Sequence, residues 1–141
     1  MPIELSDEMK ERIDGALENG TPIVVAYVDE QGAPHLSFRG TTQVLGDDRL
    51  AIWARDPAGG LPIAVAQNPQ VALLYRDPLA RRSLSMSGRA AVAPELNDTV
   101  YERSPERERD RDPERKGIAI VVELDQVVSS GPDGVLRMTR H

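Results

Sequence analysis

The sequence predicts a mainly β protein, an antiparallel barrel of six to seven strands with a few peripheral helices. Short apolar or alternating segments recur along most of the chain, from Pro22–Val28 to Val135–Arg140. Tight-turn sequences separate many of them, among them "DEQGAP", "GDD" and "GPDG". Strands joined this closely form antiparallel sheets, because a parallel return needs a crossover of a dozen or more residues.

Taken in order, "LSDEMKERIDGALENG" (Leu5–Gly20) reads as a first helix. Ser6 is its N-cap, Asp7 and Glu8 complement the positive helix start, and Met9, Ile13, Ala16 and Leu17 form one apolar face; Gly20 is the expected stop. The period then changes. "PIVVAYV" (Pro22–Val28) is a near-continuous apolar run, and "HLSFR" (His35–Arg39) alternates, with Leu36 and Phe38 on one side and His35, Ser37 and Arg39 on the other. "TTQVL", "GDD" and "RLAIWAR" make another hairpin. After the turn "DPAGG" comes a short helix, Leu61–Gln67, ended by Asn68-Pro69. "QVALLYRD" (Gln70–Asp77) is a buried-type strand. Ser83–Val92 alternates, Leu84, Met86 and Val92 against Ser83, Ser85 and Ser87. "PELNDTVYERSP" is a second short helix, and the strand Gly117–Val127 and edge strand "VLRMTR" close the chain.

With 141 residues and 40% apolar composition, residues 1–141 form a single globular domain with one real core. The net charge of −6 argues against a nucleic-acid partner, though a local pocket can still attract a small anion. No run approaches the length of a membrane span, the N-terminus does not read as a signal peptide, and a cytoplasmic location is the expectation. There is no cysteine, so disulfides and thiolate metal sites are excluded. His35 and His141 lie far apart without ligand spacing, so no metal is expected. No Gly-x-Ser-x-Gly elbow is present, and no catalytic residue can be assigned. The segment Glu102–Lys116 carries six acidic and six basic residues and reads as a solvated surface excursion.

What remains is a set of cationic and hydroxyl residues on strands and strand ends. Ser37 and Arg39 share a face, Arg55 ends its strand, and Arg82 stands beside Ser83 on a later one. Gly59 and Gly60 precede a helix whose first N–H groups lack intrahelical partners. Guanidinium forks, hydroxyls and free backbone N–H groups are what a phosphate requires. The alternative is an ordinary strand-to-helix turn among surface arginines.

The order of these features, "HLSFR", "LAIWAR", a Gly-rich turn, a helix, "NPQVALLY" and "RRSLSMSGRA", resembles the pyridoxamine 5′-phosphate oxidase-like split β-barrel family. The resemblance covers about residues 5 to 127, and Asn68-Pro69 before Val71-Ala72-Leu73, with Gly88-Arg89-Ala90, are its firmest pieces. It implies an FMN-binding oxidoreductase that transfers hydride to or from a small-molecule substrate, working as a homodimer with cofactor sites at the interface. A deazaflavin of the F420 type is the alternative cofactor, and a non-catalytic flavin- or haem-binding barrel the alternative function. On the matching positions, Ser37, Arg39, Trp53, Arg55, Gly59 and Gly60 are implied around the flavin phosphate, with Arg82 and Ser83 adding polar contacts. As the only tryptophan, Trp53 also suits a core or dimer-interface position. The chain departs from the family where a basic residue commonly opens the short helix: Gly60 and Leu61 stand there instead. On this reading a lysine at position 61 would restore a phosphate contact.

Overall fold

A computed structural model of the chain describes residues 1–140, so His141 lies outside the described residues. Eight strands form one sheet among them: β1 (Val24–Val28), β2 (Pro34–Phe38), β3 (Gln43–Gly46), β4 (Arg49–Ala54), β5 (Gln70–Asp77), β6 (Arg82–Val92), β7 (Ile118–Gly131) and β8 (Gly134–Thr139). Every pairing is antiparallel, in the order β2-β1-β5-β6-β7-β4-β3, with β8 also on β7. The strand total is one above the expected range, although each of the eight falls on a segment the sequence marks as a strand; the difference within them is largest at β7. This strand is 14 residues long and runs past Val127, where its apolar pattern fades. Its first half pairs β4 through Ile118–Glu123, and its second half pairs β8 through Gln126–Gly131. The sheet divides there, with β6 along the other edge of β7 throughout.

Register explains the core. Val25, Leu73, Met86, Val127 and Met138 lie opposite one another across β1, β5, β6, β7 and β8, and all five are buried. The next row, Phe38, Val24, Leu74, Ser85 and Val128, points to the other face and is open to different degrees. β5 is therefore not buried on both faces as its apolar run suggests: Leu74 is 45% exposed. Between Ser87 and Gly88 the β6–β7 register shifts. A Cβ at Gly88 would overlap the Glu123 carbonyl, so glycine is what allows the two strands to approach at this bulge.

Four helices pack around the sheet: α1 (Asp7–Asp14), α2 (Gly60–Gln67), α3 (Asn97–Arg103) and α4 (Glu106–Arg109). Ser6 caps α1, its hydroxyl accepting from Met9 N at 3.2 Å. The helix stops at Gly15 rather than Gly20, and residues up to Gly20 continue as turns. Glycine's low helix propensity accounts for the early stop, while Ala16 stays buried in the turn that follows. No helix among the described residues is long and apolar enough to cross a membrane.

The segment 102–116 differs most from expectation. Asp112 is buried, and its carboxylate accepts from the Trp53 indole N–H at 3.0 Å, Gly117 N at 2.9 Å and Lys116 N at 2.9 Å. The Tyr101 hydroxyl donates toward the Arg109 and Asp112 carbonyls at 3.2 and 2.9 Å. Balanced charge hid one buried carboxylate among exposed ones, so this excursion is pinned rather than simply solvated.

Candidate functional site

The strand end after β2, the end of β4 and the first turn of α2 surround a cavity of about 380 Å³. Arg39 and Arg55 line it together with Asp56, Gly59, Gly60, Leu61 and Pro62. Local hydrogen bonds bring them together: two residues past Arg39, the Thr41 hydroxyl donates to the Trp53 carbonyl at 3.1 Å and accepts from Trp53 N at 2.9 Å, two residues before Arg55, and α2 follows β4 directly. Asp56 organises the turn, its Oδ1 accepting from Ala58 N and its carbonyl from Gly59 N, both at 2.9 Å. Gly59 then caps α2 without a side-chain hydrogen bond. Ile63 N is the first helix amide to find an acceptor, Gly59 O at 3.2 Å, and Pro62 carries no N–H. Gly60 and Leu61 thus keep free amides at the positive end of a helix dipole.

The two arginines carry the electrostatics. Neither forms an ion pair within the chain among the described residues, although most other arginines do. Arg39 is half-buried, and its Nε is buried without a hydrogen-bond partner. Burial holds its pKa below the usual guanidinium range; the neighbouring Arg55 acts in the same direction and Tyr27 against it. A desolvated cation facing a second cation is unfavourable unless an anion joins them. Free helix amides beside two unpaired guanidinium groups supply the donor types an anion takes.

Tyr27 is the residue that sequence reasoning passed over. Its hydroxyl abuts Gly60 so closely that a Cβ there would overlap it. Gly60 therefore serves a close approach of the Tyr27 side chain, not an unusual backbone angle. The Tyr27 ring stacks on His35, centroids 5.1 Å apart at 11°, and His35 Nε2 lies 2.7 Å from Asp29 Oδ2. The available signal was parity: Tyr27 pairs with His35, and His35 shares its face with Ser37 and Arg39.

The other expected site residues are distributed less favourably. Ser37 is exposed on β2 opposite Val25, on the same strand face as Arg39, but outside the cavity wall. Trp53 is only 4% exposed and packs with Ala51, Val100, Tyr101 and Ala119, so its ring has no face to offer a cofactor. Its indole N–H is already taken by Asp112. Arg82 and Ser83 line a different cavity, of about 270 Å³, with Glu8, Arg12 and Asp133. There Arg82 pairs with Glu8 at 3.4 Å and Asp133 at 3.2 Å, which neutralises the charge expected to contact a cofactor. Leu61 is 1% exposed and belongs to the core, so a lysine there would bury its charge instead of reaching the cavity of Arg39 and Arg55.

No protein-family model matches the chain, and no curated protein sequence does. Solved structures do resemble it. HupZ of Group A Streptococcus superposes with a TM-score of 0.71 at 16% identity, covering 90% of this chain and 94% of that one. A pyridoxamine 5′-phosphate oxidase-related, FMN-binding protein of Nostoc punctiforme gives 0.70 at 13% identity, covering 92% and 85%. An F420 reductase gives 0.61 at 20% identity, covering 76% and 88%. The chain has the split-barrel fold of the pyridoxamine 5′-phosphate oxidase-like proteins.

Proposed function

We propose that the protein is a flavin-binding oxidoreductase that holds the phosphate of FMN in the cradle of Arg39, Arg55 and the α2 N-terminus. The observation that supports this most is the buried, partnerless Nε of Arg39 beside a second unpaired arginine. The two guanidinium groups supply charge-assisted hydrogen bonds, the Gly60 and Leu61 amides add neutral ones, and the Tyr27 hydroxyl stands at the edge. When bound, the flavin supplies hydride transfer to or from a small-molecule substrate, which accounts for the missing acid–base signature in the sequence. The residues of this chain orient the cofactor and exclude water.

The cradle takes only the phosphate end, so the ring system needs further cover. Leu36 and Phe38 are 74% and 68% exposed on the edge strand that leads into Arg39. A second copy of the chain packed on that face covers them and completes the site, which makes the functional unit a homodimer. A deazaflavin of the F420 type is the second reading, favoured by the structural likeness to an F420 reductase.

The visible spectrum of the purified protein, with mass analysis of whatever it releases, separates these readings. A flavin spectrum with FMN released supports the proposal, and a deazaflavin supports the second reading. Failure to take up either cofactor on reconstitution contradicts both.

A further inference from the structure

Another cavity, of about 230 Å³, adjoins the arginine cavity at Gly60, a residue that lines both. One wall is a single face of α2: Gly60, Ile63, Ala64 and Gln67 stand at the i, i+3, i+4 and i+7 spacing. Ile63 is half-exposed, so this wall is apolar and open. The β1–β2 hairpin supplies the other wall, with Tyr27, Asp29, Glu30 and His35. Gln67 Nε2 donates to Glu30 Oε2 at 3.4 Å and connects the two walls. The charge here is opposite to that of the cradle: the lining holds two carboxylates and no lysine or arginine.

Asp29 fixes the imidazole. Its Oδ1 accepts from Gln31 N and Ala33 N, both at 2.9 Å, and its Oδ2 lies 2.7 Å from His35 Nε2. The bond to His35 first, and the turn amides with it, hold the Asp29 carboxyl below its ordinary pKa. An ionised carboxylate only accepts, so Nε2 carries the proton and neutral His35 offers Nδ1 as an acceptor. Among the described residues Nδ1 has no hydrogen-bond partner, and the Tyr27 ring stacked at 11° holds the imidazole plane.

We propose that this cavity is the substrate compartment beside the cradle, and that it takes an uncharged, ring-sized molecule donating a hydrogen bond to His35 Nδ1. The substrate role rests on the flavin reading above; the binding itself does not. Size selects one ring over a larger fused system, because the volume lies below the ~300–1,000 Å³ of ordinary ligand pockets. Ile63 and Ala64 cover its apolar face, and Asp29 and Glu30 repel a carboxylate. Asp29 is a positioning residue that sets which nitrogen of His35 accepts.

The experiment titrates phenol, benzoate and inorganic phosphate separately into wild type, His35→Phe and Asp29→Asn at about pH 8, where imidazole is neutral. Thermal stability is measured on each, and NMR reads the His35 ring nitrogens wherever the histidine remains. Phe keeps a ring against Tyr27 and removes the acceptor. Asn keeps the turn through its Oδ1 but turns an N–H toward Nε2, which moves the ring proton to Nδ1. Wild type should show the Nε2–H tautomer, bind phenol saturably, and bind benzoate at least tenfold more weakly. His35→Phe should lose at least fivefold in phenol affinity, and Asp29→Asn three- to tenfold with the tautomer reversed. Both variants should bind phosphate within twofold of wild type. No saturable phenol binding to wild type, benzoate bound as well as phenol, or unchanged phenol affinity in His35→Phe overturns the proposal. If Asp29→Asn does not fold, the wild-type tautomer decides: a proton on Nδ1 overturns it. Phenol binding without phosphate binding to wild type defeats the cradle reading, and the substrate role with it. Phosphate binding without phenol binding defeats this proposal alone.

Discussion

Arg39 and Arg55 face one cavity without a carboxylate partner for either among the described residues, where most of the other cations are paired. Burial and the neighbouring positive charge both work against ionised Arg39. An arrangement of this kind destabilises the empty protein and gains from an added anion. Phosphate at a saturating hundredfold excess over its dissociation constant should therefore raise stability by about 2.7 kcal/mol, by linkage. Calorimetry in phosphate against chloride of equal ionic strength checks this, and an equal effect of both salts contradicts it.

Gly60 and Tyr27 form a second testable pair. A Cβ at position 60 meets the Tyr27 hydroxyl, so Gly60→Ala should destabilise by about 1–3 kcal/mol, the usual range for overpacking. Combining it with Tyr27→Phe should return part of that loss. Denaturant unfolding of both variants measures the recovery, and additive losses would show that the hydroxyl is not the obstacle.

Asp112 predicts a pH dependence. Its pKa in the folded chain lies below the ordinary 3.8. A depressed carboxylate contributes stability that is fully present above the unfolded value and is lost as pH falls through the folded one. Asp112→Ala should cost about 2 kcal/mol near neutrality, because three N–H groups lose their acceptor. The gap between wild type and variant should close as the pH drops below about 4. By contrast Arg107, exposed and paired only with Glu18 at 3.7 Å and the Leu17 carbonyl, should change stability by no more than about 0.5 kcal/mol on truncation. Urea unfolding across pH tests both expectations.

The exposed row on β2 predicts assembly. Phe38 and Leu36 replaced together by Glu should leave a folded monomer, and wild type should sediment as a dimer at micromolar concentration. A monomeric wild type would remove the second surface on which the proposed ring site depends.

Much of the fold was legible because period and turn chemistry agree. Val24–Val28 and Gln70–Asp77 lie where their apolar runs put them, and the hairpin turns after β1, β3 and β7 where Gly and Asp placement does. The proposed cradle was half legible in its placement: Arg39, Arg55, Gly59 and Gly60 were named from residue type, order and family resemblance, and all four line one cavity. Arg82 and Leu61 depart from the implied phosphate site for a reason that also applies to Trp53, which takes the core position its uniqueness suited. Sequence shows that a cation, an indole or a helix start exists, but not what it spends its donors or its surface on. Arg82 is spent on Glu8 and Asp133, the Trp53 indole on Asp112, and Leu61 on the core. Tyr27 was hidden in an apolar run, where only strand pairing with His35 reveals its face.

The central claim is that Arg39 and Arg55 recognise a phosphate, and paired titrations of FMN and riboflavin test it most directly. The two ligands share the ring system and differ in the phosphate. Wild type should bind FMN more tightly than riboflavin, and Arg55→Ala or Arg39→Ala should weaken FMN by roughly ten- to a hundredfold, from the ~1.5–3 kcal/mol of a charged hydrogen bond. Riboflavin should lose little on the same substitutions. Equal losses for the two ligands, or no preference for FMN in wild type, would contradict the account.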